Sequence, residues 1–577
     1  MGGHRGDQPA TAGTAPRDRL GLALSGGGFR ASFFHVGVLA RLAELGMLRH
    51  VEVLSTVSGG SIVGAAYYLR VKNLLESKHD AQVRDSDYVE LVRKLDEDFT
   101  KVVKTSIRTR ALANPVKNLR MLVSPNYSRS ERIGDLYDRE FYKPIWKEAT
   151  QDRVRRFRFG PELPIELREL LIHPAEVDAG ERFRPDEANP GRRAKVPVLL
   201  LNATTLNTGH NWRFEAVRMG EPPPTDGVAA IVADIDKNRH LMQGWFDPRC
   251  DADRGVRHHD VGDANRQFPL GLAVAASAAV PGVFHPLSIS GMYDGARVQL
   301  ADGGVHDNQG VQGLLDSGCS HLIVSDASAQ MADRAKVRPW AVSVLSRSSS
   351  IYGDRIRDEQ LLHVRSRRLP MAFMHLRKGL ERRSVEPGTS FDAARSVPAA
   401  VDATEFGVSR EVQEALSRIR TDLDSFTDLE AMSLSLDGYL MSRWDPELNG
   451  DGSAFDPFRA STPTPPGGPW RFEAVEDRLA RGGGAYLRHL RAGSRRFLRA
   501  LWATSVGVML RRIAVALLVL ASVWFGLVET HGDWAFEKVV GGVLVLAVGL
   551  ALLPAVWAWL SLAANWLMRR VGQVRSP

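Results

Sequence analysis

Short apolar runs alternate along this chain with longer amphipathic ones, beginning at residue 20. Leu20-Gly-Leu-Ala-Leu24 has the length of a buried strand and leads into Gly26-Gly27-Gly28. Phe34, Val38, Leu42 and Leu45 then recur at helical spacing, which predicts a helix stopped by Gly46. Val51 to Val57 reads as a second strand and Ser61 to Leu75 as a second helix. Val196 to Ala203 ("VPVLLLNA"), Val298 to Ala301 and His321 to Ser325 ("HLIVS") are further buried-strand candidates. Strands that alternate with helices predict an α/β fold with a largely parallel sheet. No internal repeat interrupts the pattern.

Polar and basic stretches separate these elements. Lys101 to Arg132 mixes Lys and Arg with Ile107, Leu112, Val116, Leu119, Met121 and Leu122, and "HPAEVDAGERFRPDEANPGRR" reads as a solvated loop. "REVQEALSRIRTDLDSFTDLEAMSLSLDGYLMS" predicts two helices split near Ser425. A Pro/Gly/Asp-rich stretch follows. The chain then turns apolar over Ile513 to Val528 and again over Val539 to Met568, with Trp557, Trp559 and Trp566 near one end. The second run is long enough to cross a ~30 Å hydrocarbon core, and the pair predicts a transmembrane hairpin. The expected organisation is a disordered tail at 1–19, a catalytic domain at 20–445, a flexible linker at 446–470 and a basic juxtamembrane helix at 471–510. Two transmembrane helices at 511–570 and a tail at 571–577 complete it.

Composition narrows the class. Of 577 residues, 44% are hydrophobic and 25% charged, which is the make-up of a chain with a real core. Two cysteines, Cys250 and Cys319, cannot build a disulfide framework and fit a reducing compartment. The net charge of +8 favours an anionic partner. Arg488, Arg491, Arg495, Arg496 and Arg499 lie among Tyr486, Leu487, Leu490, Phe497 and Leu498, a pattern suited to anionic lipid and not to nucleic acid. Arg511 and Arg512 precede the apolar hairpin and Arg569, Arg570 and Arg575 follow it, while Glu529, Asp533 and Glu537 mark its turn. The positive-inside tendency then places the catalytic domain on the cytoplasmic side of the cytoplasmic membrane. No apolar stretch follows a basic start, so no secretory signal is expected. Gly2 lacks the Ser or Thr at position 6 that a myristoylation signal wants, since that position is Gly6.

Three short stretches carry candidate chemistry. "TVSGGS" (Thr56 to Ser61) lies between a strand and a helix, where a sharp turn would present Ser58 as a nucleophile; taken alone it is equally a plain turn. The Gly26-Gly27-Gly28 loop stands at a helix N-terminus, whose amides and dipole suit an anion. Asp302 ends another apolar strand in Ala301-Asp-Gly-Gly-Val305. A serine ester hydrolase needs a nucleophile, a base and donors for an oxyanion, and there is one candidate for each. Arg30 could pin the loop or pair with a substrate phosphate. A dinucleotide site fits Gly26-x-Gly28-x-x-Ala31, but no acid terminates a second strand at the ribose-binding distance, and Ser58 and Asp302 would go unexplained. Cys250, Asp251, Asp253, His258, His259 and Asp260 lack regular ligand spacing, and Asn449-Gly-Asp451-Gly lacks the spaced acids of a calcium loop. No metal or other cofactor is expected.

In this order the motifs "SGGGFRA", "TVSGGS" and "LADGGVHDN" resemble those of the patatin-like phospholipases, with "NATTLNTG" and "AVAASAAVPGVFHPL" as supporting stretches. The resemblance covers roughly residues 20 to 445. It implies a three-layer α/β/α sandwich and ester hydrolysis of lipids without metal. Ser58 would be the nucleophile and Asp302 the base, with the Gly26, Gly27 and Gly28 amides as the oxyanion hole. Two positions depart from the family's pattern: Ser25 replaces the usual Asp before the loop, and Thr56 replaces the first glycine of G-x-S-x-G. Neither removes a reacting group. Asp294-Gly-Ala is a competing aspartate that follows "SISGMY", which reads as a turn between strands and not as a strand end. His306, His321, His363 and His375 are eligible for a triad, His35 reads as a packed helix residue, and an aspartate bonded directly to the serine makes a triad unnecessary. A catalytically silent lipid-binding or scaffolding protein on the same fold is the alternative, against which intact Ser58 and Asp302 argue.

Overall fold

The computed structural model describes residues 17–104, 129–150, 163–178, 180–181, 183–222, 256–258, 263–293, 296–328, 331, 336–337, 339–380 and 403–494. The expected transmembrane helices, most of the Lys101 to Arg132 insert, Cys250 and Asp294 lie outside these residues. Among the described residues no helix is long and apolar enough to cross a membrane.

The elements used below are, in chain order, β1 (Leu20–Leu24), α1 (Gly28–Glu44), β2 (Val51–Val57), α2 (Gly59–Ser77), α3 (Asp85–Val103), α4 (Arg129–Tyr137) and β3 (Val198–Thr205). They continue with β4 (Asn211–Phe214), β5 (Arg218–Gly220), β6 (Val256–Arg257), α5 (Leu270–Ser277), β7 (Leu287–Tyr293), β8 (Ala296–Asp302), α6 (Val311–Asp316) and β9 (His321–Asp326). The last are α7 (Ala341–Ser366), β10 (Met371–His375), α8 (Arg410–Ser417), α9 (Asp428–Trp444), α10 (Glu476–Arg481) and α11 (Gly484–Ala492). The strands and helices predicted between residues 20 and 445 are present with shifted ends. "SISGMY" differs: it is strand β7, not a turn.

The sheet runs β10-β9-β1-β2-β3-β4-β5-β6, and its first five strands are parallel. β1, β2 and β9 are buried at every position, because helices cover both faces, and that is why their sequences read as continuous apolar runs. Leu20, Leu22, Leu24 and Ile323 point to the larger core with α1, α2 and α9, while Ala23, Val53, Leu322 and Val324 point to the other with α6. This is α/β layering with a mostly parallel central sheet and helices on both faces.

One register decides the site. β2 pairs with β3 up to Val57 opposite Asn202, and there β2 ends. The next β3 residue, Ala203, already pairs with Trp212 of β4 on its other side, so Asp302 of β8 joins it on the edge that β2 has vacated. The end of β8 is thereby laid against the end of β2.

The packed body extends past the expected boundary at 445. In 446–470, expected as a flexible linker, Leu448, Phe455, Phe458 and Trp470 are buried, and the Trp470 indole donates to Glu44 at 2.7 Å. Asn449 ties Arg41 to α9, so its turn is structural. The expected juxtamembrane helix is broken at Gly482 and Gly483, both at positive φ, and Tyr486, Leu487 and Leu490 face the core instead of solvent. Arg17 and Arg19, assigned to the disordered tail, pair with Glu52 at the opposite end of the sheet. In each case apolar or charged side chains scattered through a polar stretch found partners far away in sequence.

Candidate active site

Ser58 occupies the single residue between β2 and α2 with φ 51° and ψ −115°, a sparsely populated conformation for a side chain with a Cβ. Such strain costs about 1–3 kcal/mol and persists only where the surroundings enforce it. Here the Ser58 N–H donates to Ser277 Oγ at 3.0 Å, and the Ser277 hydroxyl donates to the Asn202 carbonyl at 2.6 Å. Ser61 bonds both Ser277 (2.8 Å) and Thr56 (3.0 Å). Glycine is required next to the turn: a Cβ on Gly59 would sit 2.0 Å from the Gly28 carbonyl oxygen. Thr56, the departure at the elbow, donates its hydroxyl to Leu200 O at 3.0 Å, and its methyl lies where Gly64 leaves room.

Asp302 is buried beside Ser58. Its Oδ1 accepts the Gly304 N–H at 2.7 Å, and Thr204 holds its carbonyl at 2.9 Å. Its Oδ2 is buried without a hydrogen bond of regular geometry, and the Ser58 hydroxyl is the side-chain donor next to the carboxyl. Burial raises the Asp302 pKa to about 6, against the opposing pull of Ser58 and the Gly304 amide. The carboxylate is thus ionised at neutral pH yet basic enough to take a proton. Among the described residues, neither Ser58 nor Asp302 bonds a histidine. His35 is fully buried between Ser325 (2.7 Å) and the Ser25 carbonyl (3.0 Å), with burial lowering its pKa to about 4. A neutral ring that donates from Nε2 to Ser25 and accepts at Nδ1 satisfies both contacts. His306 sits on the loop after Asp302, its Nδ1 unpartnered and its pKa lowered by burial, while His321 begins β9 at the other end of the sheet. Tyr293 and Ala296, which flank Asp294, pair at the far end of the β7–β8 hairpin from Asp302.

The glycine loop is braced from three sides. Ser25 Oγ accepts from Ala327 N–H at 2.8 Å, the anchoring role left open by its replacement of Asp. The Gly26 N–H donates to the Asn308 carbonyl at 2.9 Å, so this amide is already committed, which corrects the expectation that all three glycines face an oxyanion. The Gly27 and Gly28 amides at the start of α1 donate to nothing among the described residues. The Asn308 side chain fills the space between Gly26 and Gly304, in contact with both loops. Arg30 is 1% exposed and donates to the carbonyls of Ala327 (2.7 Å) and Ile419 (2.9 Å), so it pins the loop. Asp422 O accepts from Phe29 N at 3.1 Å, and Arg420, fully buried, pairs with Glu430 at 2.8 Å to hold that segment. Ser277, Asn202 and the 417–422 segment were missed by sequence reasoning. Ser277 lies in the small-residue run "AVAASAAV", whose only signal was its resemblance to family core segments.

Among the described residues, no group of three or more His, Cys, Asp and Glu is arranged to hold a metal. His258, from the acidic cluster considered above, is spent on the Glu215 carbonyl at 2.9 Å, and the rest of that cluster lies outside the described residues.

A family model described as Patatin-like phospholipase matches residues 22–315, just over half of the chain, and takes in the glycine loop, Ser58 and Asp302. The chain belongs to the patatin-like phospholipase family. Solved structures similar to this patatin-like chain include human GIVD cytosolic phospholipase A2 in complex with methyl gamma-linolenyl fluorophosphonate inhibitor and terbium chloride. That match has 13% identity and a TM-score of 0.35, over 74% of this chain and 57% of that one. Another is VipD from Legionella pneumophila, with 13% identity and a TM-score of 0.27 over 74% of this chain and 66% of that one. The chain thus spans less than two thirds of either neighbour. No curated protein matches it. The segments 417–422 and 446–494, which complete this patatin-like site and its core, lie beyond the matched region.

Proposed function

We propose that the protein is a lipid acyl hydrolase that cleaves carboxylic esters through a Ser58–Asp302 dyad. The observation that carries this reading is the buried Asp302 carboxyl, with the Ser58 hydroxyl as its side-chain donor, beside the strained Ser58 turn. Ser58 Oγ attacks the ester carbonyl carbon as its proton passes to Asp302. Charge on the tetrahedral oxygen is stabilised by the Gly27 and Gly28 amides at the N-terminus of α1. The bond to the alcohol then breaks, and Asp302 returns the proton to the leaving oxygen. Water attacks the acyl-serine as its proton passes to Asp302, the bond to Ser58 Oγ breaks, and Asp302 returns the proton to Ser58 as the carboxylic acid leaves. The family supports lipid as the substrate class.

The test is hydrolysis of a fatty-acyl nitrophenyl ester and of phospholipid, with an alkyl fluorophosphonate that phosphonylates an activated serine. Ser58→Ala and Asp302→Asn should each abolish turnover, and the double variant should lose little more, because the two act as a unit. The fluorophosphonate should label the peptide containing Ser58. A well-folded Ser58→Ala protein with near wild-type turnover sinks the assignment. Absence of both turnover and labelling in the wild type favours the silent lipid-binding alternative.

A further inference from the structure

The catalytic geometry leaves one long helix unused. α7 joins β9 to β10, and Val364 is its only buried residue among those with described side chains. Its apolar side chains face out, with Trp340 at its start 74% exposed, Leu345 69% and Tyr352 68%; Val344 and Ile351 are exposed as well. At ~100° per residue, Trp340, Val344 and Ile351 fall on one line, and Leu345 and Tyr352 stand a heptad apart beside it. A helix on a soluble domain ordinarily turns such a sector inward, and an exposed one marks a docking surface.

Its position indicates what docks. The inner side of α7 contributes Ile356 and Gln360 to a cavity of about 480 Å³ shared with Thr204, Leu206, Val305 and His306, next to the loop that leaves Asp302. Leu206, Val280 and Val305 are themselves exposed, and Val280 follows the residue whose carbonyl accepts the Asp302 N–H. Apolar side chains therefore stand exposed on segments that flank Asp302. From Lys336 to Arg368 the chain carries eight Lys or Arg against three Asp or Glu. Those three acids pair with Arg355 and Arg357 within the helix. The surplus positive charge opposes a second copy of the same face and complements an anionic one. Trp and Tyr beside Arg is the composition of helices that lie at a lipid–water boundary.

We propose that α7 is the membrane-docking element of the protein. It lays Trp340, Val344, Leu345, Ile351 and Tyr352 into the headgroup boundary of an anionic phospholipid bilayer and holds the mouth of the Ser58 site against it. The choice of a bilayer as occupant rests on the lipid-hydrolase reading; the test of docking does not depend on turnover.

In the full chain carrying Cys250→Ser, an environment-sensitive dye is attached at Leu345→Cys or at Ser350→Cys, an exposed position on the far side of the helix; the remaining thiol, Cys319, is buried. Phosphatidylcholine vesicles with and without phosphatidylglycerol are then added. The dye at 345 should shift to the blue and be quenched by lipid-borne quenchers on anionic vesicles, less so in high salt, while the dye at 350 should not change. Equal responses at both positions, or none at 345, overturn the proposal. So does a blue-shifted dye at 345 before lipid is added: dependence on protein concentration would identify a second copy as the occupant, and independence another part of the chain. The Leu345→Glu/Tyr352→Glu variant should keep its turnover of a soluble short-chain ester and lose at least tenfold on anionic vesicles. Undiminished turnover on vesicles counts against docking, whereas a wild type silent on both substrates counts against the hydrolase reading alone.

Discussion

Asp302→Asn should make the protein more stable while removing its activity, and the gain should depend on pH. The Asp302 carboxyl has an ordinary value of 3.8 and is raised by burial to about 6 in the fold. Well below pH 3.8 it is neutral in both folded and unfolded chains, and near pH 4 the difference has only begun to grow, so aspartate and asparagine differ little there. As the pH rises, the unfolded chain gives up its proton first, and the folded wild type is destabilised until the pH passes about 6. The separation of the two values corresponds to about 3 kcal/mol at pH 8, an upper figure for the advantage of the neutral variant. Asparagine retains an oxygen for the Gly304 N–H, so that bond survives. Urea unfolding followed by tryptophan fluorescence at pH 4 and pH 8 reads the difference directly. The wild-type kcat/KM should rise with pH along a single limb centred near 6, since only the ionised carboxyl takes the serine proton. A stability increment that is the same at both pH values, or a rate limb near the ordinary carboxylate value, would refute the argument that burial tunes this group.

Two further substitutions probe the frame around the dyad. Ser277→Ala removes the acceptor for the Ser58 N–H and should destabilise the fold by about 1–3 kcal/mol, lowering kcat with little change in KM; unaltered kcat in steady-state kinetics would show that the strap does not set the elbow. Gly64→Ala places a Cβ 2.6 Å from the Thr56 methyl and should cost about 1–3 kcal/mol. Adding Thr56→Ser should restore most of that loss in a thermal melt, and simple additivity of the two changes would argue against the contact.

Much of the site could be read locally. Ser58 and the glycine loop stand between an apolar strand and an amphipathic helix, and strand–turn–helix is a pattern of neighbours in sequence. The two helices split near Ser425 are marked in the same way, since Thr427 and Glu430 form a capping box. Residues whose work is done across long separations were not legible. Arg30 could have faced a phosphate as easily as two backbone carbonyls, because its partners lie nearly 300 or more positions away. The Pro/Gly-rich stretch around 450 looked like a linker because its buried residues, Phe455, Phe458 and Trp470, carry no period.

The sequence by itself therefore determined the α/β alternation and the strand–turn–helix setting of Ser58, since these follow from periodicity and short-range turn chemistry, while the candidate pairing of Asp302 with Ser58 came from the resemblance of the motifs. Only the tertiary structure decided how the pieces meet. Ala203 pairs with Asp302 one position beyond the end of β2, and that long-range register, not any property of either motif, brings Asp302 to Ser58. The same packing commits the Gly26 amide to Asn308 and leaves those of Gly27 and Gly28 open. Which backbone groups stay unpaired is set by strands and loops hundreds of residues apart, and no local pattern encodes it.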